Sequence, residues 1–430
     1  MEYLMNYGRV GLKLELPDHW NVTVIRKKEM PVLPDADTTM AIALKQPLGS
    51  KTLFDEAKGR RSACILMCDV TRPVPNGLIL PAVIRELMEA GIKSEQITVL
   101  VATGLHRPNE GPELRDVVGD NWVLDAVSVV NHFARNDQDH VDLGVTSRGT
   151  PIKLDRRFVE ADLRIVTGLV EPHFMAGYSG GRKVIVPGVA HHDTITRLHT
   201  ATFLESPCAA NCILDSNPLH EEQLEIVKLI GGSLAVNVVI DEFRRPCFLN
   251  FGEIVSSHKA AVDFMSEFAV INVPRRFQTV ITSSAGYPLD KTYYQTVKGM
   301  VGGMELLEPG GELFIVSECS EGMGSAEYVA AQKRLCDLGP DRFLDELWPK
   351  SQAAIDEWQT EMQLKPMRIG AISMYTQGLS KHDLDLTGVE TFKELDLFHE
   401  AIRKSVEHSK DKCVAIIPEG PYVAPFFLKT

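Results

Sequence analysis

A chain of 430 residues, 44% hydrophobic and 24% charged, has the composition of a globular enzyme and is too long for one compact core, so two or three domains are expected. Its formal net charge of -13 argues against nucleic acid as a partner, because phosphate recognition wants a basic face. No apolar run approaches the roughly 18 residues of a membrane span, and the opening stretch MEYLMNYGRVGLKLELPDHW lacks the basic and apolar regions of a secretion signal.

Taken in chain order, the first predicted strand is SACILMCDV (62–70), a nearly continuous apolar run followed by DVTRPVPN. LILPAVIRELMEAGI (78–92) carries apolar residues at helical spacing and closes on glycine. QITVLVATG (96–104) leads into TGLHRP, and ADLRIVTGLV (161–170) leads into EPHFMAGYSGGRK. Such runs suit a parallel sheet covered by helices on both faces. Ligands bind beyond the carboxyl ends of such strands, so Asp69, Arg72, His106, His173 and Lys183 are expected to converge at one sheet edge. A second α/β unit begins near RFQTVITSSAGYPLD (276–290), with further strand candidates in TVITSSA, GELFIVSE, MRIGAISMY and CVAIIPEG. The expected fold is α/β, with domains at 1–272 and 273–430, mainly parallel sheets and an active site in the interdomain cleft. Eight scattered cysteines include the CxxxC pairs Cys64/Cys68 and Cys208/Cys212. Neither pair has a second at zinc-site spacing, which points to reduced thiols in a cytoplasmic protein.

The residues that carry chemistry each admit a plainer reading. GYSGGRKV departs from a phosphate-binding P-loop, since Arg182 intervenes before Lys183 and Val184 stands where Ser or Thr belongs. Gly180 and Gly181 would let backbone N–H groups approach an anion; a tight turn with an exposed lysine fits the spacing equally well. His106 and His173, both after buried strands, suit a pair of general acid/bases, and two bases on opposite faces of one carbon suit inversion of a stereocentre. PGVAHHDTITRLHTATFLE places Asp193 as a helix cap and His199 about two turns in. Without HExxH or a cysteine cluster, a metal role for His199 requires a cofactor to supply the other donors. Asp69 and Arg72 either pair with each other or leave the guanidinium for a substrate carboxylate. Tyr294, Gln295 and Lys298 share one helix face, which also reads as a solvated stripe. Trp358 reads as packing.

DVTRP, TGLHRP, EPHFMAGYSGGRKVIVPG, LHTATF and YPLDKTYYQTVKGM, in this order and with the closing EGPYVAP, resemble the nickel-dependent lactate racemases and their homologues over almost the whole chain. The resemblance implies a 2-hydroxy acid racemase or epimerase acting on lactate or a related acid such as malate. It implies a nickel-pincer nucleotide, a pyridinium-3,5-bisthiocarboxylic acid mononucleotide that takes hydride reversibly. Lys183 matches the lysine attached covalently to it, and His199 the nickel ligand. His106 and His173 match the acid/base pair. Asp69, Tyr294, Gly180 and Gly181 fall to the cofactor, and Arg72, Gln295, Lys298 and Trp358 to the substrate. Implied partners are the small-molecule acid and the cofactor-synthesis enzymes, with apo protein expected where those enzymes are missing. The rivals are a nicotinamide-dependent 2-hydroxy acid dehydrogenase, for which no GxGxxG is found after a strand, and a non-catalytic nickel-binding module.

Overall fold

The computed structural model describes residues 1–409 and 411–428. Its two compact units interleave along the chain: one comprises 29–198 and 213–267, the other 1–28, 199–212 and 268–430.

The first unit is built on a six-stranded sheet. From edge to edge it runs Pro246–Glu253, Leu234–Ile240, Leu163–Leu169, Ala63–Cys68, Ile97–Ala102 and Ser128–Asn131. All neighbours are parallel except the pair at the Pro246–Glu253 edge. Every residue of Ala63–Cys68 is buried, as expected of a strand covered on both faces. The helix Asn76–Glu89 makes the crossover to Ile97–Ala102, two residues ahead of the predicted start. Successive strands 63–68, 97–102 and 128–131 step one way across the sheet, whereas 163–169 lies on the other side of 63–68. The strand order therefore reverses between Ala63–Cys68 and Leu163–Leu169, the kind of position where open α/β sheets bind ligands.

The second unit has its own six-stranded parallel sheet, in the order Glu390–Phe392, Ala371–Tyr375, Leu307–Val316, Phe277–Ser283, Cys413–Ile417, Asn21–Val24. Trp20, Ile281, Phe314, Tyr375, Phe398 and Ile416 meet in one core beside it. Residues 1–28 and 199–212 belong with this unit, whereas the sequence reading kept them with the N-terminal domain. Pairing explains the first, since Asn21–Val24 lies parallel to Cys413–Ile417. Packing explains the second: Ala201 is buried among Leu335, Phe343, Leu347 and Leu364, and Arg368 pairs with Glu205 at 2.7 Å. MRIGAISMY also divides, because Met367 closes the helix Glu357–Met367 and the strand starts at Ala371. All eight cysteines are free. No helix among the described residues is long and apolar enough to cross a membrane.

The helix Tyr293–Gly303 follows Phe277–Ser283 and depends on a close approach at Gly299, where a Cβ would lie 2.3 Å from the Ser283 carbonyl oxygen. Gly299→Ala forces a backbone shift and should cost about 1–3 kcal/mol. The urea midpoint is expected to fall, and an unchanged midpoint would contradict this packing.

Candidate functional site

Three loops leave the carboxyl ends of the central strands of the first unit. Asp69 follows Ala63–Cys68 directly and is buried. Its Oδ1 accepts from the Thr71 hydroxyl at 2.6 Å and the Thr71 N–H at 3.2 Å, and its Oδ2 lies 2.7 Å from His106 Nδ1. Burial acts to raise this carboxyl, but the bonds from His106 and Thr71 and the charge of Arg72 outweigh it and hold it below its usual value. His106, after Ile97–Ala102, is itself exposed.

Arg72 reaches beyond its own loop. Its Nη1 meets Glu171 Oε1 at 2.9 Å, so this ion pair spans the point of strand-order reversal from the loop after one strand to the loop after the other. A substrate carboxylate at Arg72 would share the guanidinium with Glu171. Glu171 opens the segment EPHFMAGYSGGRK, and no local pattern marks it as a partner of Arg72.

The third loop carries His173 in a two-residue antiparallel pairing with Gly177. Its Nδ1 accepts backbone N–H bonds from Met175 at 3.3 Å and Ala176 at 3.1 Å. The glycines that follow serve packing. Gly181 has φ +48°, and its N–H donates to Asn237 Oδ1 at 3.0 Å. A Cβ there would meet His258 at 2.9 Å, and one at Gly180 would meet Val170 at 2.6 Å. A side chain would thus be excluded from both positions by the protein's own atoms.

These contacts set up the short helix Arg182–Ile185. Arg182 is 1% exposed, yet no carboxylate pairs with it among the described residues. It donates to the Ala176 carbonyl at 2.9 Å, its Nη1 lies 2.8 Å from His258 Nε2, and its Nε has no partner. Burial pushes this guanidinium down to about 9, which leaves it charged at neutral pH. Lys183 comes next. Burial, then the charges of Arg72 and Arg182, push its ammonium down to about 7. In the sequence, the counterparts of this niche are the cation next to Lys183 and the apolar run Val184–Val186 that follows it.

The remaining candidates lie in the second unit. His199 is not inside a helix. The helix His192–Leu198 ends before it and Ala201–Leu204 begins after it, so Asp193 sits in the first turn and does not cap a later start. The His199 ring packs against Trp358 with centroids 4.5 Å apart, and Trp358 Nε1 donates to the Tyr294 hydroxyl at 3.2 Å. Trp358 is buried as a packing residue would be, and the face it offers joins His199 to Tyr294. On the helix Tyr293–Gly303, Tyr294, Gln295 and Lys298 are half-buried, while Tyr293, Thr296 and Val297 face the interior. Gln295 Oε1 is buried without a hydrogen bond. The structure thus assembles Asp69, Arg72, His106, His173 and Lys183 around one sheet edge, and His199, Trp358 and Tyr294 in a separate contact chain.

His191, His192 and Asp193 bring possible ligand atoms within 4.8 Å of one another. The Lys153 ammonium is already 2.6 Å from Asp193, a fixed positive charge where a cation would have to sit.

Lys183 also fixes a sign for stability. The folded chain loses this proton near 7, whereas an unfolded lysine keeps it to about 10.5. Between those values the unfolded state binds more protons, so stability rises with pH across the window. Lys183→Met should flatten that rise in denaturant midpoints measured from about pH 7 to about pH 10; equal slopes in both chains would refute the lowered amine.

Residues 7–211 match the model of the lactate racemase N-terminal domain, and residues 274–424 that of the lactate racemase C-terminal domain. The chain is 30% identical to the lactate racemase of Thermoanaerobacterium thermosaccharolyticum over 421 residues, 96% of each protein. It is 30% identical to that of Lactiplantibacillus plantarum over 387 residues, 89% of each. The solved lactate racemase apoprotein from Thermoanaerobacterium thermosaccharolyticum superimposes with a TM-score of 0.90 at 29% identity, covering 100% of both chains. A Thermotoga maritima protein shares the fold with a TM-score of 0.68 at 17% identity, over 91% of this chain and 98% of its own.

Proposed function

Because the chain belongs to the lactate racemase family and is an enzyme of the isomerase class, we propose that it racemises or epimerises a 2-hydroxy acid, lactate or a relative such as malate, with a nickel-pincer nucleotide attached to Lys183. The observation that carries the cofactor assignment is the Lys183 amine, pushed down to about 7 by burial, Arg72 and Arg182. An amine must lose its proton before it can form a covalent bond, and here it does so near neutral pH. Arg182, charged and without a carboxylate, makes the same neighbourhood favourable to an anionic group.

The residues fit that cofactor in two further respects. His199 offers an imidazole held by Trp358, a donor suited to nickel. Tyr294 is fixed through its hydroxyl to the same Trp358. When bound, the group would supply a reversible acceptor for the substrate α-hydrogen together with its electron pair. The protein's own task is to bind the acid and to move one proton. Arg72 and Lys298 anchor the carboxylate, and Gln295 uses its open Oε1 on a substrate hydroxyl. His106 and His173 handle the hydroxyl proton. The cofactor-synthesis enzymes are the cellular partners this reading requires.

Two measurements test the reading. Protein made alongside those enzymes should carry a covalent adduct at Lys183 in intact and peptide mass spectra, and Lys183→Ala should carry none. Bound free nicotinamide nucleotide with no adduct would favour the dehydrogenase. Racemisation by loaded protein should fall at least ~100-fold in His106→Ala and in His173→Ala. Nickel uptake without turnover in the unaltered protein would reduce the chain to a nickel-binding module.

A further inference from the structure

The two imidazoles are held in opposite ways, and the holding fixes where their protons are. Asp69 is kept ionised by the donors around it, and an ionised carboxylate only accepts. The 2.7 Å contact from His106 Nδ1 to Asp69 Oδ2 therefore requires a proton on Nδ1. In the neutral ring Nε2 is then bare. At His173 the relation is reversed. Backbone N–H groups only donate, and two of them, from Met175 and Ala176, point at Nδ1. That nitrogen is therefore bare, and the neutral ring carries its proton on Nε2.

We propose, resting on the racemase reading above, that Asp69 is a positioning residue for His106, and that the two histidines enter the reaction unequal: His106 as the base, His173 as a hydrogen-bond donor. The substrate O–H bond breaks as an Nε2–H bond forms on His106. The resulting imidazolium keeps Nδ1–H on Asp69, where the buried carboxylate offsets its charge. The α-hydrogen leaves with its electron pair to the hydride acceptor of the proposed function, and the same proton returns when the alcohol re-forms.

His173 has no such freedom. A second proton on Nδ1 would face two N–H donors, and loss of the Nε2 proton would leave an imidazole anion. It serves as a base only after the 173–176 turn swings Met175 and Ala176 away.

Long-range nitrogen–proton NMR of apo protein with 15N-labelled histidine tests this without any cofactor. The two rings are assigned from the signals missing in His106→Ala and His173→Ala. At neutral pH His106 should be the Nδ1–H tautomer and His173 the Nε2–H tautomer. Asp69→Asn, which keeps the shape and replaces an acceptor with a donor, should turn His106 to Nε2–H and leave His173 unchanged. In loaded enzyme it should lower kcat by up to roughly 10⁴-fold with KM little changed, the scale seen for the equivalent exchange in a Ser-His-Asp triad. A wild-type His106 with its proton on Nε2, a His173 with its proton on Nδ1, or an unaltered His106 in Asp69→Asn would overturn the proposal. The racemase reading fails separately, by the absence of an adduct and of turnover in loaded wild-type protein, so the two failures are distinct.

Discussion

Parallel pairing of Ala63–Cys68 with Leu163–Leu169 is the constraint on which the rest of the first unit depends. The two strands are about a hundred residues apart in sequence and can only be neighbours once the intervening crossovers have folded. Their pairing puts two carboxyl ends side by side where the sheet order reverses. The Arg72–Glu171 ion pair then joins the two loops across this point. Asp69 lies on one side of it and His173 with Lys183 on the other, so a single strand register sets the spacing of groups that no local sequence relation connects.

Electrostatics at this edge follow from burial. Among the described residues no carboxylate pairs with Arg182, whose guanidinium meets the Ala176 carbonyl and the His258 imidazole. Such a buried cation is costly unless something uses it. Its nearest consequence is on Lys183, whose proton becomes easier to lose beside two guanidinium groups. The same logic runs the other way at Asp69, where donors outweigh burial. One short loop system thus holds an amine ready to lose its proton and a carboxylate firmly ionised.

Much of this was legible in the amino-acid order, for reasons that separate cleanly. Ala63–Cys68, Ile97–Ala102 and Leu163–Leu169 lie inside the predicted runs because strands covered on both faces are mostly apolar, with Thr98 and Arg164 half-buried exceptions. The loops after them read correctly as the place where charged residues collect. Partner choice was not legible. For Arg72 and Asp69, three residues apart, the sequence left mutual pairing and a substrate role both open; Glu171 and His106 are the partners that sheet order brings beside them. At 180 and 181 the sequence left an anion site and a tight turn both open; the fold itself requires glycine there, since a Cβ would meet Val170 and His258. The place of His199 was missed by a helix ending one residue earlier than expected. Unit membership was hidden for a related reason: Asn21–Val24 pairs with a strand nearly four hundred residues away, and no local pattern records that.

The interleaving of the two units bears on how the chain is made. Residues 29–267 hold every strand of the first sheet, so that unit can close while the ribosome is still translating the remainder. The second unit is in the opposite position, because its edge strand Asn21–Val24 emerges first and its partner Cys413–Ile417 emerges almost last. Asn21–Val24 must therefore wait for that partner through nearly the whole of elongation. Premature termination between residue 267 and the final strands would release one finished unit tethered to an unmated β-edge, the sort of surface on which nascent chains aggregate.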